Sequence, residues 1–504
     1  MAVTSPKSTK PADHEGDLLR RVRPVDWTNP VAKPLYDLVI VGGGPAGLAA
    51  AEWAIRLGLR VALVERHRLG GDSLHTGTVP SKSIVRTAGV HAIMPRAEEF
   101  GAPASPDLPV DFQTVMARMR RIRSRIAEYH SADRLRAQGV EVFFGGAHFT
   151  ASDALLVGDT RLRFKKALIA TGSRPQRPTI PGLEEAGYLT SETIFDLAAL
   201  PKRLAIIGGG PLGCEAAQTF SRLGTHVTIV QDEPKFLPHE ERDASQLLSF
   251  SLARDGVDTR LNTLVLGVRV ENGVKILDTA NDDARYRIDA DEILLSIGRT
   301  PNVGDLGLEA ADIAFDPKKG IIVDDFLRTT NRRVYAAGDV CLSLKFTNAA
   351  EATARMAVQN AFAAKRRRLS LMTIPWCTYC DPEIAHVGMH VWDASERSVP
   401  VKSFTVMMQD VARAITDGQD DGFVKIHVKL GTDRILGATI VASRASEMIN
   451  EISVAMSTGI GMRKLAKVLH TYPAQSDAIR LAALAYTLDQ PVSWLQKAYA
   501  RWFA

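Results

Sequence analysis

The chain has 504 residues, length for about three ordinary domains, and its 45% hydrophobic and 24% charged content is that of a water-soluble globular protein. Its 62 basic and 57 acidic residues leave a net charge of +5, small for this size, so neither nucleic acid nor a membrane surface is implied as a partner. No run of about eighteen apolar residues occurs, because the richest stretch, 38–51, is interrupted by Gly42, Gly43, Gly44 and Pro45, and no membrane span is expected.

Residues 1–34 are rich in Pro, Ser, Lys and Asp and lack an apolar h-region, which predicts a disordered or extended lead-in and not a signal peptide. A cytoplasmic location is the default expectation. From Tyr36 the chain reads Y-D-L-V-I-V-G-G-G-P-A-G-L-A-A-A, a short apolar strand running through Gly42, Gly44 and Gly47 into an Ala-rich helix. This is a dinucleotide fingerprint: the glycines allow a tight turn and let backbone N–H groups approach a pyrophosphate at the helix N-terminus. The next strand, R-V-A-L-V-E, ends at Glu65, 23 residues after Gly42, where a carboxylate can take both hydroxyls of an adenosine ribose. Residues 69–82 then read L-G-G-D-S-L-H-T-G-T-V-P-S-K. The basic stretches 118–125 and 365–368 are expected to be solvated helix faces or ends.

The device repeats. L-A-I-I-G-G-G-P-L-G-C-E carries Gly208, Gly210 and Gly213, and the strand after it brings Gln231 to the same offset of 23. Two dinucleotides are therefore expected on two domains. Gln231 can bond a ribose hydroxyl without repelling a 2′-phosphate, but Asp232 beside it would repel one and no arginine ends that strand, which favours NADH over NADPH. The segments K-A-L-I-A-T-G-S-R-P around Gly172 and D-E-I-L-L-S-I-G-R-T-P-N around Gly298 end β-runs as at a domain crossover. V-Y-A-A-G-D-V presents Asp339 just after a strand, where a carboxylate can bind a polyol such as a ribityl chain. Four cysteines, Cys214, Cys341, Cys377 and Cys380, make no disulfide framework. Cys377 and Cys380 sit in a strand-like context and are read as ordinary packing. From about 372 new strands (F-V-K-I-H-V-K-L, R-I-L-G-A-T-I-V-A) precede helices near 446–458 and 474–488, an α+β region. The expected division is a lead-in to 34; a first nucleotide domain over 35–175 and 302–370; a second over 176–301; a third domain over 371–490; and a tail over 491–504. Trp494, Leu495, Tyr499, Trp502 and Phe503 recur in that tail at roughly helical spacing and are expected to pack on the body of a dimer in preference to touching a membrane.

From Tyr36 to about Arg480 the motifs, in this order, resemble the pyridine nucleotide-disulfide oxidoreductases, most of all mercuric-reductase-like proteins and dihydrolipoamide dehydrogenases. The resemblance implies an α/β fold of two Rossmann-like domains, for FAD and NAD(P)H, plus a C-terminal α+β dimerisation domain in a homodimeric flavoprotein. It implies FAD at Gly42, Gly44, Pro45, Ala46, Gly47 and Glu65, with Asp339 on the ribityl chain, and the nicotinamide nucleotide at Gly208, Gly210, Gly213 and Gln231. Gly71, Asp72, Ser73, Thr171, Gly172, Gly298, Arg299 and Gly338 are counted with the cofactor-binding residues. Lys82 matches the lysine beside flavin N5, and Glu215 the glutamate that pairs with it; such a charge would stabilise the reduced flavin.

The family's two working cysteines are replaced by Ser73 and Thr78. A hydroxyl neither forms a disulfide nor ionises near neutral pH, so no sulfur relay is expected, and Hg(II) reduction by the family mechanism is not expected either. The C-terminal stretch H-T-Y-P-A-Q-S-D has Tyr472 where disulfide reductases have histidine, as mercuric reductases do, with Asp477 in the place of the glutamate and His470 two residues earlier. Tyr472 is read either as lining the partner's flavin site or as interface packing. His75, Gly77 and Thr78 match soluble transhydrogenases. Three functions follow: an FAD-dependent NAD(P)H oxidoreductase delivering electrons to a small-molecule acceptor (a quinone, O2 or similar) near Ser73, His75 and Thr78; a transhydrogenase; or a catalytically silent flavoprotein sensor or scaffold.

Overall fold

The apolar run Y-D-L-V-I-V becomes the strand Tyr36–Val41, and its residues are buried on both faces, with Val39 and Ile40 fully so. Strands covered on both sides belong to parallel sheets. In the computed structural model, which describes residues 13–103, 109–282, 284–364, 366–492 and 494–503, this strand pairs in parallel with Val61–Glu65 and with Thr160–Ile169. Val140–Phe144 extends the parallel sheet beyond Val61–Glu65, and Val334–Ala336 adds to Thr160–Ile169. Ala154–Val157 and Ala147–Ala151 complete seven strands as an antiparallel extension. Helix Pro45–Arg56 packs against helix Thr347–Phe362, and the alanines both bury (Ala50, Ala54, Ala354, Ala357) let their backbones approach closely.

Residue contacts divide the chain into two units. The first comprises the residues up to Thr179, Gly187–Pro201 and Leu294–Leu371, and holds this sheet. The second comprises Ile180–Ala186, Lys202–Ile293 and Met372–Ala504.

The second unit repeats the strand–turn–helix–strand order. Arg203–Ile207 leads into helix Pro211–Arg222 and pairs in parallel with His226–Val230, within a four-stranded sheet whose edges are Asp258–Arg260 and a strand that begins at Glu292. An antiparallel meander, Leu264–Glu271, Val274–Ala280 and Arg285–Ala290, lies beside it in the chain. The C-terminal part is a five-stranded antiparallel sheet in the order Pro375–Thr378, Glu383–Gly388, Ile435–Ala442, Phe423–Lys429, Val401–Met407. Helices Ala445–Thr458 and Asp477–Asp489 bury Ile452 and Ala482 in the core that this sheet shares with Val424 and Ile440. Both helices fall close to the expected positions.

Two expectations are corrected. The lead-in is not extended throughout: His14–Val22 is a helix, capped by Asp13, with Leu18 and Val22 fully buried. Its sequence, H-E-G-D-L-L-R-R-V, places those two residues one turn apart on an otherwise charged helix, a pattern that the Pro- and Lys-rich flanks obscure; residues 1–12 lie outside the described residues. The basic stretch 118–125 is not merely solvated. It belongs to helix Phe112–Ile126, where Arg123 is buried, bonding Glu15 at 2.5 Å and the carbonyl of His75 at 3.2 Å, while Arg118 donates to the carbonyl of Ser83 at 2.8 Å. Of the stretch 365–368, Lys365 is outside the described residues. The tail forms helix Trp494–Phe503, in which Trp494, Leu495, Tyr499, Trp502 and Phe503 are exposed in the single chain; Ser493 and Ala504 are not described. No helix among the described residues is long and apolar enough to cross a membrane.

Candidate nucleotide and redox site

The first glycine loop lies in the first unit. Gly42 has φ +111°, and a Cβ there would sit 2.3 Å from the carbonyl oxygen of Ala170. Gly47 faces the loop so closely that a Cβ would meet the oxygen of Gly42 at 1.8 Å. Gly44, followed by Pro45 and Ala46, is the N-cap of helix Pro45–Arg56, with no side chain capping its N–H groups. Those N–H groups, at the positive end of the helix, are left for an anionic group. Glu65 ends its strand with Oε2 accepting from the N–H of Gly43 at 2.7 Å and Oε1 from that of His67 at 2.6 Å. A cradle with no room for Cβ atoms, uncapped amides and a carboxylate at its rim fit the adenosine and pyrophosphate of FAD.

The segment 69–82 runs on from this loop. Gly70 and Gly71 have φ +101° and +55°, and a Cβ on Gly71 would meet Cα of Gly44 at 2.7 Å, so the two glycine turns touch. Asp72, Ser73 and His75 lie on the one-turn helix Gly71–His75, and Thr78 opens helix Thr78–Ile93, one turn ahead of the half-buried Lys82. Ser73 is half-buried and Thr78 exposed. His75 is turned inward: its Nε2 lies 2.8 Å from the carbonyl of Leu69. Burial outweighs that bond and holds its imidazole down at about 4, so His75 is neutral near pH 7.

A second group, missed as a set in the sequence, closes the same unit. The Arg299 side chain pairs with Asp72, donates to Ser173 Oγ at 2.7 Å and to the Ser173 carbonyl at 2.8 Å. Ser173 Oγ in turn donates to Asp339 at 2.7 Å. The crossover itself is tied by Asn302, whose carbonyl accepts from Thr171 Oγ1 at 2.8 Å and whose backbone N–H donates to the carbonyl of Gly172 at 2.9 Å. Gly172, Gly298 and Gly338 all have positive φ, which turns these strand ends sharply. Thus Asp72, Arg299 and Asp339, far apart in sequence, meet through Ser173; only the flanking T-G-S-R-P and I-G-R-T-P patterns hinted at it.

The second loop, in the second unit, copies the first. Gly208 has φ +106°, Gly210 caps helix Pro211–Arg222 with no side-chain partner, and Gly213 is buried in the first turn of that helix. Gln231, buried, accepts from the N–H of Gly209 at 2.6 Å. Glu215, also buried, accepts from the backbone N–H of Tyr379 at 2.8 Å. In the C-terminal stretch Tyr472 is 78% exposed. His470 faces the Glu451 carboxylate at 2.9 and 3.1 Å, and Asp477 is bonded by Arg480 at 2.6 Å. No disulfide joins the four cysteines; burial raises the thiol of Cys341 to about 12 and that of Cys214 higher still.

A twofold glycine-loop plan with an α+β C-terminal region defines a class, and the chain belongs to it: residues 36–363 match the pyridine nucleotide-disulphide oxidoreductase model and residues 374–483 the dimerisation domain of the same family. Members depend on FAD and NAD(P)H, and the dimerisation domain supports a homodimer. The chain is 32% identical over 463 residues to a mercuric reductase of Staphylococcus aureus, covering 91% of this chain and 84% of that one. It is 31% identical over 470 residues to a dihydrolipoyl dehydrogenase of Bacillus subtilis (strain 168), covering 89% and 98%. The solved HOCl-induced flavoprotein disulfide reductase RclA from Escherichia coli matches with a TM-score of 0.78 at 27% identity, over 90% of this chain and all of that one.

Proposed function

We propose that the protein is an FAD-dependent NAD(P)H oxidoreductase, with NADH the favoured donor, that hands electrons to a diffusible non-disulfide acceptor such as a quinone or O2. One observation carries this reading: the segment against which the first loop packs has hydroxyls, Ser73 and Thr78, where a sulfur relay would need thiolates. Bound FAD would take hydride from the nicotinamide and release two electrons to the acceptor. Lys82 supplies a positive charge for the reduced cofactor, and Glu215 is assigned to the same chemistry; Asp339, fixed by Ser173, holds the polyol. Neutral His75, tied to the Leu69 carbonyl, shapes the turn. Tyr472, exposed in the single chain, is proposed to complete the partner subunit's site as a hydrogen-bond donor. Disulfide and Hg(II) reduction by a cysteine pair are excluded on this reading, and a cytoplasmic setting suits four cysteines that form no disulfide.

Anaerobic titration with NADH tests it. Two electrons per flavin, rapid bleaching and no long-wavelength thiolate band are expected; four electrons or such a band would overturn the reading in favour of a sulfur relay. Catalytic exchange between NADPH and an NAD analogue would instead identify transhydrogenation.

A further inference from the structure

The second unit holds a group of ligand-type side chains that the nucleotide loops do not use. Glu240, His386 and His390 each offer one atom, and the three atoms lie within 4.8 Å of one another. Glu240 comes from the turn before helix Arg242–Arg254, His386 from strand Glu383–Gly388, and His390 from the N-cap of helix Val391–Glu396. They are 4%, 0% and 4% exposed.

Buried polar atoms nearly always find partners, and an exception asks for an ion or a water. Glu240 Oε2 and both ring nitrogens of His390 have no hydrogen-bond partner among the described residues. The other members are held from behind. Trp376 Nε1 donates to Glu240 Oε1 at 2.6 Å, and Thr439 Oγ1 lies 2.8 Å from His386 Nδ1. Bonds that fix one atom of a ligand and leave the other bare are what outer-shell residues provide at metal sites. His386 Nε2 keeps one long contact, 3.3 Å to the Gly388 carbonyl, which an arriving ion would replace. Burial, first of all, holds His390 at about 4 and His386 well below its usual value, so both imidazoles are neutral, the form that ligates.

We propose that Glu240, His386 and His390 bind one divalent transition-metal ion of the borderline class, such as Zn(II) or Co(II), with water completing the coordination. Two imidazoles and a carboxylate suit such ions; Mg(II) and Ca(II) take oxygen ligands throughout, and the softest ions seek sulfur. The His386 and His390 rings are stacked, centroids 3.5 Å apart and 22° between planes, and Trp392 lies on the far side of His390 at 4.1 Å. One nitrogen of each ring already lies within 4.8 Å of the other and of a Glu240 oxygen, so capture requires only a modest rotation of His390. Lys235 donates to the Glu240 main-chain carbonyl and opposes the incoming charge, while Glu241, bonded to His427 at 2.7 Å, adds negative charge next in sequence.

The test uses the full-length flavoprotein, dialysed against a chelator and titrated with Co(II). One Co(II) per chain is expected, with visible d–d absorption that Zn(II) abolishes. His390→Ala and Glu240→Gln should each weaken binding about tenfold or more with flavin content and Tm retained. No Co(II) bound above buffer, or undiminished binding in a folded His390→Ala protein, overturns the proposal. If neither variant folds, X-ray absorption of the Zn(II)-loaded wild type decides: two imidazoles and a carboxylate support the site, and sulfur or an all-oxygen shell overturns it.

Discussion

The two glycine loops are near copies in backbone and differ in charge. Gly42 and Gly208 have similar φ values of +111° and +106°, and each donates its N–H to the second strand of its sheet at 2.8 Å. The central glycines, Gly43 and Gly209, each donate to the side chain at the ribose position, at 2.7 and 2.6 Å. That side chain is Glu65 in the first loop and Gln231 in the second. Glu65 is held by a second N–H, from His67. On the proposed reading, backbone geometry provides the cradle for a dinucleotide, and one side chain sets how its ribose is read.

The largest expected effect breaks the first loop's geometry. In Gly47→Ala the new Cβ would overlap the Gly42 carbonyl, which is backbone and cannot swing aside, so a loss of on the order of 3 kcal/mol and of bound flavin is expected. In Gly209→Ala the obstacle is the ring of Phe236, 2.5 Å away, which can tilt, and about 1 kcal/mol is expected. Denaturant melts and flavin content compare the two; equal losses would mean that the Phe236 ring yields no more readily than backbone. Next comes charge. Glu65→Gln keeps an acceptor for Gly43 but turns an amide NH2 toward the N–H of His67, and removes a charge-assisted bond to ribose. FAD affinity is expected to fall by ~2 kcal/mol, roughly thirtyfold, read by flavin dissociation under dilution.

The first loop also carries a pH liability, smaller than either substitution. His75 has an unfolded value near 6.5 and about 4 in the fold. Above 6.5 both states are neutral and its contribution is fully present; as pH falls from 6.5 through 4, the unfolded chain takes the proton first and stability is lost. By pH 5 the loss is ~1–2 kcal/mol. His386 and His390 share this sign in the second unit, so the share of His75 is obtained by subtracting the pH 7-to-5 change of His75→Asn from that of the wild type. An identical change in both proteins would remove His75 as the source.

What was legible in the sequence follows the same division. The loops were, because strand, glycine spacing, helix and acid are consecutive and each is a local backbone requirement. Helices Ala445–Thr458 and Asp477–Asp489 were, because apolar periodicity announces them. The Asp72–Arg299–Ser173–Asp339 chain was not, since its members come from a one-turn helix and from separated strand ends that only tertiary pairing brings together. The same holds for Glu240, His386 and His390, where H-V-G-M-H on a strand end resembles no ligand motif. Arg123 was misread because composition alone does not distinguish a buried arginine from its solvated neighbours; its partners, Glu15 and His75, are distant in sequence.

The smallest expected effect on stability sharpens the second loop. Gln231 is 5% exposed, and its Oε1 accepts from Gly209. Gln231→Glu preserves that acceptor and introduces the residue that the first loop already uses, so the backbone is expected to hold and Tm to shift little. The added charge would have two consequences of opposite sign: it would strengthen bonds to a ribose bearing free hydroxyls and repel a 2′-phosphate, as is proposed for Asp232 beside it. The ratio of kcat/KM for NADH over NADPH should therefore rise about tenfold, ~1.4 kcal/mol. The reverse substitution in the first loop weakens FAD, so opposite signs in the two exchanges are the signature that one carboxylate does the same work in both places. An unchanged NADH to NADPH ratio would show that Gln231 does not face the ribose and that Asp232 alone sets the preference.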